Sequence, residues 1–271
     1  MKIANKCLAC GSRDFNFERG AYAPWMAGRM LGYRPDERPV ELPTTICDCR
    51  VCGLRFARMR PGDEEMKRLY RDYRGEAYNR DRICWEPSYA AIADKVGNPE
   101  LEWRGRMKAL RELLKGIPKE KKIAQVLDYG GGSGAFIPPM PDGVRKWVYD
   151  PGVKETVLGA ELLGNLSDYE PADLVLCQHV LEHLPNPRAA LEEIVGVTNQ
   201  GAYLALVVPD EIVQSRHSTE VNEHLTWFTM VSLGALIEKV GGLEIVTMCS
   251  ESVDYRWTYG RELLVLVQRV K

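Results

Sequence analysis

Val126-Leu-Asp-Tyr-Gly-Gly-Gly-Ser-Gly-Ala-Phe136 is the stretch whose reading decides the fold. Its first half is a short apolar run with an acidic residue near the end, the pattern of a buried strand. Gly130, Gly132 and Gly134 then strip the following turn of side chains. Backbone of this kind can approach a ligand closely and take up positive φ. The reading predicts a helix N-terminus directly after the loop, where free N–H groups and the macrodipole favour an anionic group. Pro138, Pro139 and Pro141 would stop that helix within about one turn.

Outward from the loop, apolar runs alternate with helical patterns. Strands are predicted over Ile123 to Tyr129, Trp147 to Asp150, Asp173 to Gln178 and Ala202 to Val208. Arg188 to Val197 and Val231 to Val240 read as helices, and Leu243 to Cys249 and Glu262 to Val270 as β-rich runs. Such alternation predicts an α/β unit with a mainly parallel sheet covered on both faces. Upstream, Asp63 to Arg74 opens with Asp63-Glu64-Glu65, which suits a helix start. Glu86 to Leu114 is again helical in pattern, broken near Gly97-Asn98-Pro99. Gly116 to Lys122 reads as an exposed linker. The expected units are therefore residues 1–62, 63–118 and 119–271.

Five of the eight cysteines lie in the first 52 residues, and four form twin pairs, Cys7-Leu-Ala-Cys10-Gly11 and Cys49-Arg-Val-Cys52-Gly53. A Cys-x-x-Cys-Gly turn lets two thiolates converge on one cation, and two such turns complete a tetrahedral four-sulfur zinc site. With four protein ligands and no open position, the zinc would be structural. Cys47 is the expected bystander. The 38 residues between the pairs exceed the usual spacing, and the proline-bearing stretch Ala23 to Pro43 is read as an inserted loop.

Two further clusters fall beyond strand ends, where open α/β sheets bind ligands. Asp173-Leu-Val-Leu-Cys-Gln-His-Val-Leu-Glu-His-Leu184 brings Cys177, Gln178 and His179 to one such edge, with His183 four residues later. Glu220-Val-Asn-Glu-His-Leu-Thr-Trp-Phe228 brings Glu223 and His224 to another. All four histidines, His217 included, fall within these 46 residues. Histidine is the default proton acceptor near neutral pH. Asp150, sixteen residues after Gly134 and followed by Pro151, is placed to accept hydrogen bonds from ribose hydroxyls; alone, it would read as a strand-end turn. His183 reads as a packing or capping residue. Tyr70, Tyr73 and Tyr78 either pack or reach into a neighbouring cleft.

The strand ending in Asp128, the Gly-x-Gly-x-Gly loop and His179-Val-Leu-Glu-His-Leu184 together resemble the class I S-adenosylmethionine-dependent methyltransferases. That resemblance implies a Rossmann-like, mainly parallel seven-stranded sheet and a cofactor site of Asp128, Gly130, Gly132, Gly134, Asp150, Pro151, Gln178 and His179. Asp128 would orient the loop or meet the cofactor's amino group. With the four-cysteine unit Cys7, Cys10, Cys49 and Cys52 and a tyrosine-bearing helical segment, the whole chain is similar to the zinc-containing sugar C-methyltransferase group. That group carries an additional C-terminal domain, which is not expected within these 271 residues. The resemblance implies His224, Glu223, His179 and Tyr78 as catalytic residues. It further implies a small-molecule acceptor of the nucleotide-linked sugar class, methylated on carbon or oxygen by direct transfer with a histidine base.

The net charge of −2 argues against a nucleic-acid partner or an anionic membrane surface. No apolar run approaches the roughly 20 residues a membrane helix needs. A reducing, cytoplasmic setting is the default expectation, with the cysteines as thiols or metal ligands. Two rival readings remain: a zinc-ribbon nucleic-acid-binding or RNA-modifying protein with a methyltransferase-like body, and an inactive partner subunit. The intact glycine loop and Asp150 weigh against the second.

Overall fold

Apolar residues that alternate along the central strands divide between two cores. The computed structural model describes residues 1–34, 37, 41–157, 159–210 and 219–271. In chain order, the N-terminal part holds β1 (Lys2–Ile3), β2 (Phe15–Tyr22), α1 (Pro24–Leu31), β3 (Leu42–Cys49), β4 (Arg55–Ala57) and β5 (Met59–Arg60). A helical stretch follows, α2 (Asp63–Tyr70), α3 (Glu76–Trp85) and α4 (Pro99–Leu114). The remainder is β6 (Gln125–Tyr129), β7 (Arg145–Tyr149), β8 (Glu161–Leu162), β9 (Ala172–Gln178), α5 (Pro187–Gly196), β10 (Thr198–Pro209), β11 (Glu220–Val221), β12 (Thr226–Trp227), α6 (Met230–Val240), β13 (Leu243–Asp254) and β14 (Tyr259–Arg269).

The large sheet has seven strands in the order β13-β14-β10-β9-β6-β7-β8. β14 runs antiparallel to both neighbours, and the other pairings are parallel. Leu127, Val175, Leu204 and Leu206 pack with Leu191, Ile194 and Leu236 from α5 and α6 on one face. Val126, Leu174, Leu176 and Ala205 pack with Met107, Leu110 and Leu113 of α4 on the other. The expected α/β sheet with helices on both faces is what the chain forms.

β1 and β5 pair separately, while β2, β3 and β4 form a second sheet, β11-β2-β3-β4-β12. Its outer strands come from residues 220–221 and 226–227, so the segment carrying Glu223 and His224 leaves one sheet to border the other.

Three local expectations differ from the structure. No helix follows the glycine loop: residues 132–137 form turns, closed by Gly134 N–H to Gly131 O at 2.9 Å and Ile137 N–H to Gly134 O at 3.1 Å. Pro138 and Pro139 lack amide donors and disfavour helical backbone before them, so no first turn forms and no macrodipole is available. The stretch read as an inserted loop contains α1, started by Pro24 at its first turn and ended by Gly32 in the left-handed conformation. Trp25, Met26 and Met30 bury its apolar face; Pro35 and Pro39 lie outside the described residues. Helix also occupies Glu76–Trp85, whereas the Glu86 to Leu114 pattern is α-helical only from Pro99, after a 3-10 turn at Pro87–Ala91.

Candidate active site

The carboxyl ends of β6, β7 and β9 meet where the strand order reverses, the usual ligand crevice of an open α/β sheet. Gly130 N–H donates to Tyr149 O at 2.7 Å, carrying the glycine loop across β7. Asp150, one residue past that strand, accepts from Gly132 N–H through Oδ2 (2.9 Å) and from Gly152 N–H through Oδ1 (2.8 Å). Gly132 has φ +58°, and a Cβ built on it would meet no protein atom within 4 Å. The loop therefore opens onto space at that position.

Beneath the loop lies Asp128, only 1 % exposed, with no hydrogen-bond partner for either carboxylate oxygen among the described residues. A Cβ on Gly131 would sit 2.1 Å from its Cγ, so the loop backbone rests on this carboxyl. Burial, and then the charge of Asp150, raise its pKa to about 7. A buried carboxyl left unpaired is costly, and it fits a ligand that brings a cation or donor to it. Glycine backbone open to space, a strand-end carboxylate and an orphaned acid thus fit S-adenosylmethionine, with its ribose hydroxyls and its positive charge. Gln178 Nε2 donates to Phe136 O at 3.4 Å and braces the far side of the loop. Pro151 sits in the exposed turn after Asp150.

Around the crevice the chain gathers ionisable groups from four elements. His179 has φ +55° and ends β9 before the 3-10 turn Leu181–His183, so it shares no helix face with His183. Its Nε2 lies 2.8 Å from Glu262 Oε1 on β14 and its Nδ1 3.6 Å from Glu182 Oε1. Burial and Arg106 push the His179 pKa down, but Glu262 and Glu182 outweigh them and leave it raised. His183 donates from Nδ1 to Glu223 O at 3.3 Å and stacks edge-on against His224, ring centroids 4.8 Å apart. Burial lowers its pKa to about 4. Glu182, His183 and His224 each offer one charged or lone-pair atom, all within 4.8 Å of one another.

Glu223, adjacent in sequence to His224, turns elsewhere. Its backbone has φ +66°, and its carboxylate takes Arg82 of α3 and, at 3.4 Å, the Tyr78 hydroxyl. Burial raises the Glu223 pKa, yet Arg82, His183 and Arg74 bring it down to about 2. Tyr78 is fully buried, edge-on to Trp25 and Tyr73. The turn after α2 lies against the turn that follows Asp150, with Tyr73 Cβ 3.9 Å from a Cβ built on Gly152. The structure thus brings His179, Glu223, His224 and Tyr78 to the region beside Asp128, Gly130, Gly132, Gly134 and Asp150. His217 lies outside the described residues.

Sequence reading missed Glu182, Arg82 and Arg60. A glutamate inside an otherwise apolar run between two histidines was a usable signal; nothing local marked the arginines. Arg60 is buried and donates to Leu184 O (2.6 Å), Pro185 O (2.9 Å) and Thr226 Oγ1 (2.9 Å). It ties the segment after His183 to the segment after His224.

The four cysteines converge separately. Cys7–Cys52 and Cys10–Cys49 sulfurs lie 3.5 and 3.6 Å apart, and the four ligand atoms fall within 4.8 Å of one another. A tetrahedral zinc with bonds of about 2.3 Å would set sulfurs about 3.8 Å apart. The two turns are duplicates: Gly11 N–H to Cys7 O (3.0 Å) with Cys7 N–H to Ser12 O (2.7 Å), and Gly53 N–H to Cys49 O (2.9 Å) with Cys49 N–H to Leu54 O (2.8 Å). The Cys52 sulfur, and then burial, hold the Cys7 thiol far above its usual range, a state a divalent cation would reverse. Cys47 is buried on β3, two residues before Cys49, and lies outside this group.

Residues 102–247 match the family model described as "Methyltransferase domain". No curated protein matches the chain. Among solved structures, the chain is similar to the 1,6-didemethyltoxoflavin-N1-methyltransferase of Burkholderia thailandensis, solved with 1,6-didemethyltoxoflavin and S-adenosylhomocysteine. That match has 15 % identity and TM-score 0.48, over 68 % of this chain and 87 % of that one. It is also similar to the N-methyltransferase NodS of Bradyrhizobium japonicum, at 17 % identity and TM-score 0.46, over 68 % of this chain and 99 % of that one. No described helix is long and apolar enough to cross a membrane.

Proposed function

The chain belongs to the methyltransferase-domain family and is a methyltransferase; from that premise we propose that it moves the methyl group of S-adenosylmethionine to a small molecule with the help of a histidine base. The observation that carries the cofactor reading is the pairing of Asp150 on Gly132 N–H above an unpartnered Asp128. Asp150 keeps lone pairs to accept the ribose hydroxyls, Asp128 is placed to take the ammonium group, and Gly130, Gly132 and Gly134 leave room for the ligand. Bound there, S-adenosylmethionine supplies a methyl group made electrophilic by its sulfonium.

The remaining work falls to this chain's own residues. Tyr73 and the turn after α2 close over the Asp150 end and limit water. His179 pairs through Nε2 with Glu262 at 2.8 Å and lies beside Glu182, and these carboxylates hold it toward its protonated form, which leaves it a poor proton acceptor. His224 is the base in this reading: a ring nitrogen would take the proton of the acceptor carbon or oxygen, whose freed electron pair would bond the methyl carbon while the methyl–sulfur bond breaks and its pair goes to sulfur, leaving the neutral thioether. Tyr78 and Glu223 belong to the Arg82 network that holds the His224 segment. The resemblance to sugar C-methyltransferases makes a nucleotide-linked keto sugar the first acceptor class to try. Cys7, Cys10, Cys49 and Cys52 would hold a structural zinc.

Isothermal titration with S-adenosylhomocysteine tests the cofactor reading. Wild type should bind it, and Asp150→Ala should bind it much more weakly. Tight binding of NAD with no binding of S-adenosylhomocysteine would refute it.

A further inference from the structure

Besides Asp128 under the glycine loop, the crevice holds a second buried carboxylate without a hydrogen bond, beside the histidines. Arg106 lies 2.6 Å from Glu102, Arg82 is bound by Glu223 and Glu86, and His179 sits 2.8 Å from Glu262, which also accepts the Tyr255 hydroxyl. Glu182, at 1 % exposure, has no hydrogen-bond partner for either oxygen among the described residues. His179 Nδ1 lies 3.6 Å and His183 Nε2 3.8 Å from its Oε1. The Nδ1 proton of His183 is committed to Glu223 O, so a neutral His183 presents a lone pair, not a proton, to Glu182. A buried, unpaired carboxylate is expensive unless a positive charge arrives beside it.

We propose that Glu182 is a positioning residue whose carboxylate is the counter-charge for the imidazolium that His224 becomes on taking the acceptor's proton, while the neighbouring Glu223 is tied to α3 through Arg82. The inference rests on the reading of His224 as base. It follows from placement: Glu182, His183 and His224 lie within 4.8 Å, whereas the Glu223 side chain is spent on Arg82 and Tyr78. His183 separates the two roles, since its Nδ1 bond fixes the 222–225 backbone and its ring packs against His224. Arg60 holds the two segments in register. Before reaction, Glu182 has only the shared His179 beside it and no hydrogen bond to either oxygen; when His224 gains the proton, the carboxylate meets a full counter-charge. The transition state is thereby favoured over the ground state.

The groups facing this pair come from each packed element. The 3-10 turn supplies His183, with His179 just before it. Tyr70 from α2 and Cys177 from β9 both feel Glu182, each thiol or phenol being pushed up chiefly by burial. The 222–225 loop supplies Glu223, with Arg82 and Arg74 behind it. An opposite charge within 4–6 Å typically moves an imidazole by about 1–3 pH units.

The test is a pH titration of ¹⁵N-histidine-labelled protein by NMR, which needs no acceptor and reads only four side chains. His224→Gln assigns the His224 signal. Glu182→Gln should lower the His224 pKa by about 1–3 units, and Glu182→Asp, which keeps the charge, should leave it near wild type. S-adenosylhomocysteine affinity, read by titration calorimetry, should stay near wild type in both variants; that separates this proposal from the cofactor reading. An unmoved His224 in Glu182→Gln overturns the proposal, as does an equal or larger fall in Glu223→Gln. A measurement on unaltered protein guards against misfolding: metal analysis should find only the cysteine-bound ion. A second divalent ion that disappears in His224→Gln would overturn the proposal, because a cation would then already compensate Glu182.

Discussion

Asp128→Asn should raise the stability of the ligand-free protein and weaken cofactor binding. The carboxyl is 1 % exposed, lacks partners, and has its pKa raised from 3.8 to about 7. A raised folded-state pKa means the folded protein binds this proton more tightly than the unfolded chain. The penalty is therefore absent below about pH 4, grows between pH 4 and 7, and is full above that. Three units at about 1.4 kcal/mol each give a ceiling of about 4 kcal/mol. Burying an unpartnered amide instead returns about 1–3 kcal/mol of that. The net expectation is a gain of about 1–3 kcal/mol at pH 8 that shrinks toward nothing by pH 5. Loss of a charged hydrogen-bond acceptor should weaken S-adenosylhomocysteine by about 10- to 100-fold. Urea unfolding at pH 8 and pH 5, with calorimetric titration at pH 8, reads both effects. A variant less stable at pH 8, or one whose gain is the same at both pH values, would refute the reasoning.

Three other outcomes follow from the same geometry. Metal analysis should return one zinc per chain for wild type and Cys47→Ser and none for Cys49→Ser; the reverse pattern would reassign the ligands. Gly132→Val should abolish most S-adenosylhomocysteine binding, because its φ of +58° disfavours a branched side chain and the open space above it is where the ligand must lie. Retained affinity would place the ligand elsewhere. Once an acceptor is found, His224→Asn should lower turnover by about 10²–10⁴-fold with cofactor affinity near wild type, whereas normal turnover would move the base to another residue.

What the sequence by itself determined is whatever depends on neighbours along the chain. β6 was legible from Val126 to Tyr129 because burial on both faces makes a parallel strand a continuous apolar run. The cysteine turns were legible because the two cysteines of each are three residues apart and each turn closes on its own glycine. Helices α5 and α6 were found within a residue or two from apolar spacing. Tertiary structure alone decided who pairs with whom. Glu223 and His224 are adjacent, yet a left-handed backbone at Glu223 sends its carboxylate to Arg82, 141 residues away, and leaves Glu182 beside the histidines. The missing helix after the glycine loop turned on prolines that outweigh the fold's usual preference. The docking of residues 220–227 on the N-terminal sheet had no local signal at all, since two-residue strands take their hydrogen bonds from wherever the chain is folded to meet them. Local propensity names the elements; long-range burial and charge pairing choose the residues that act.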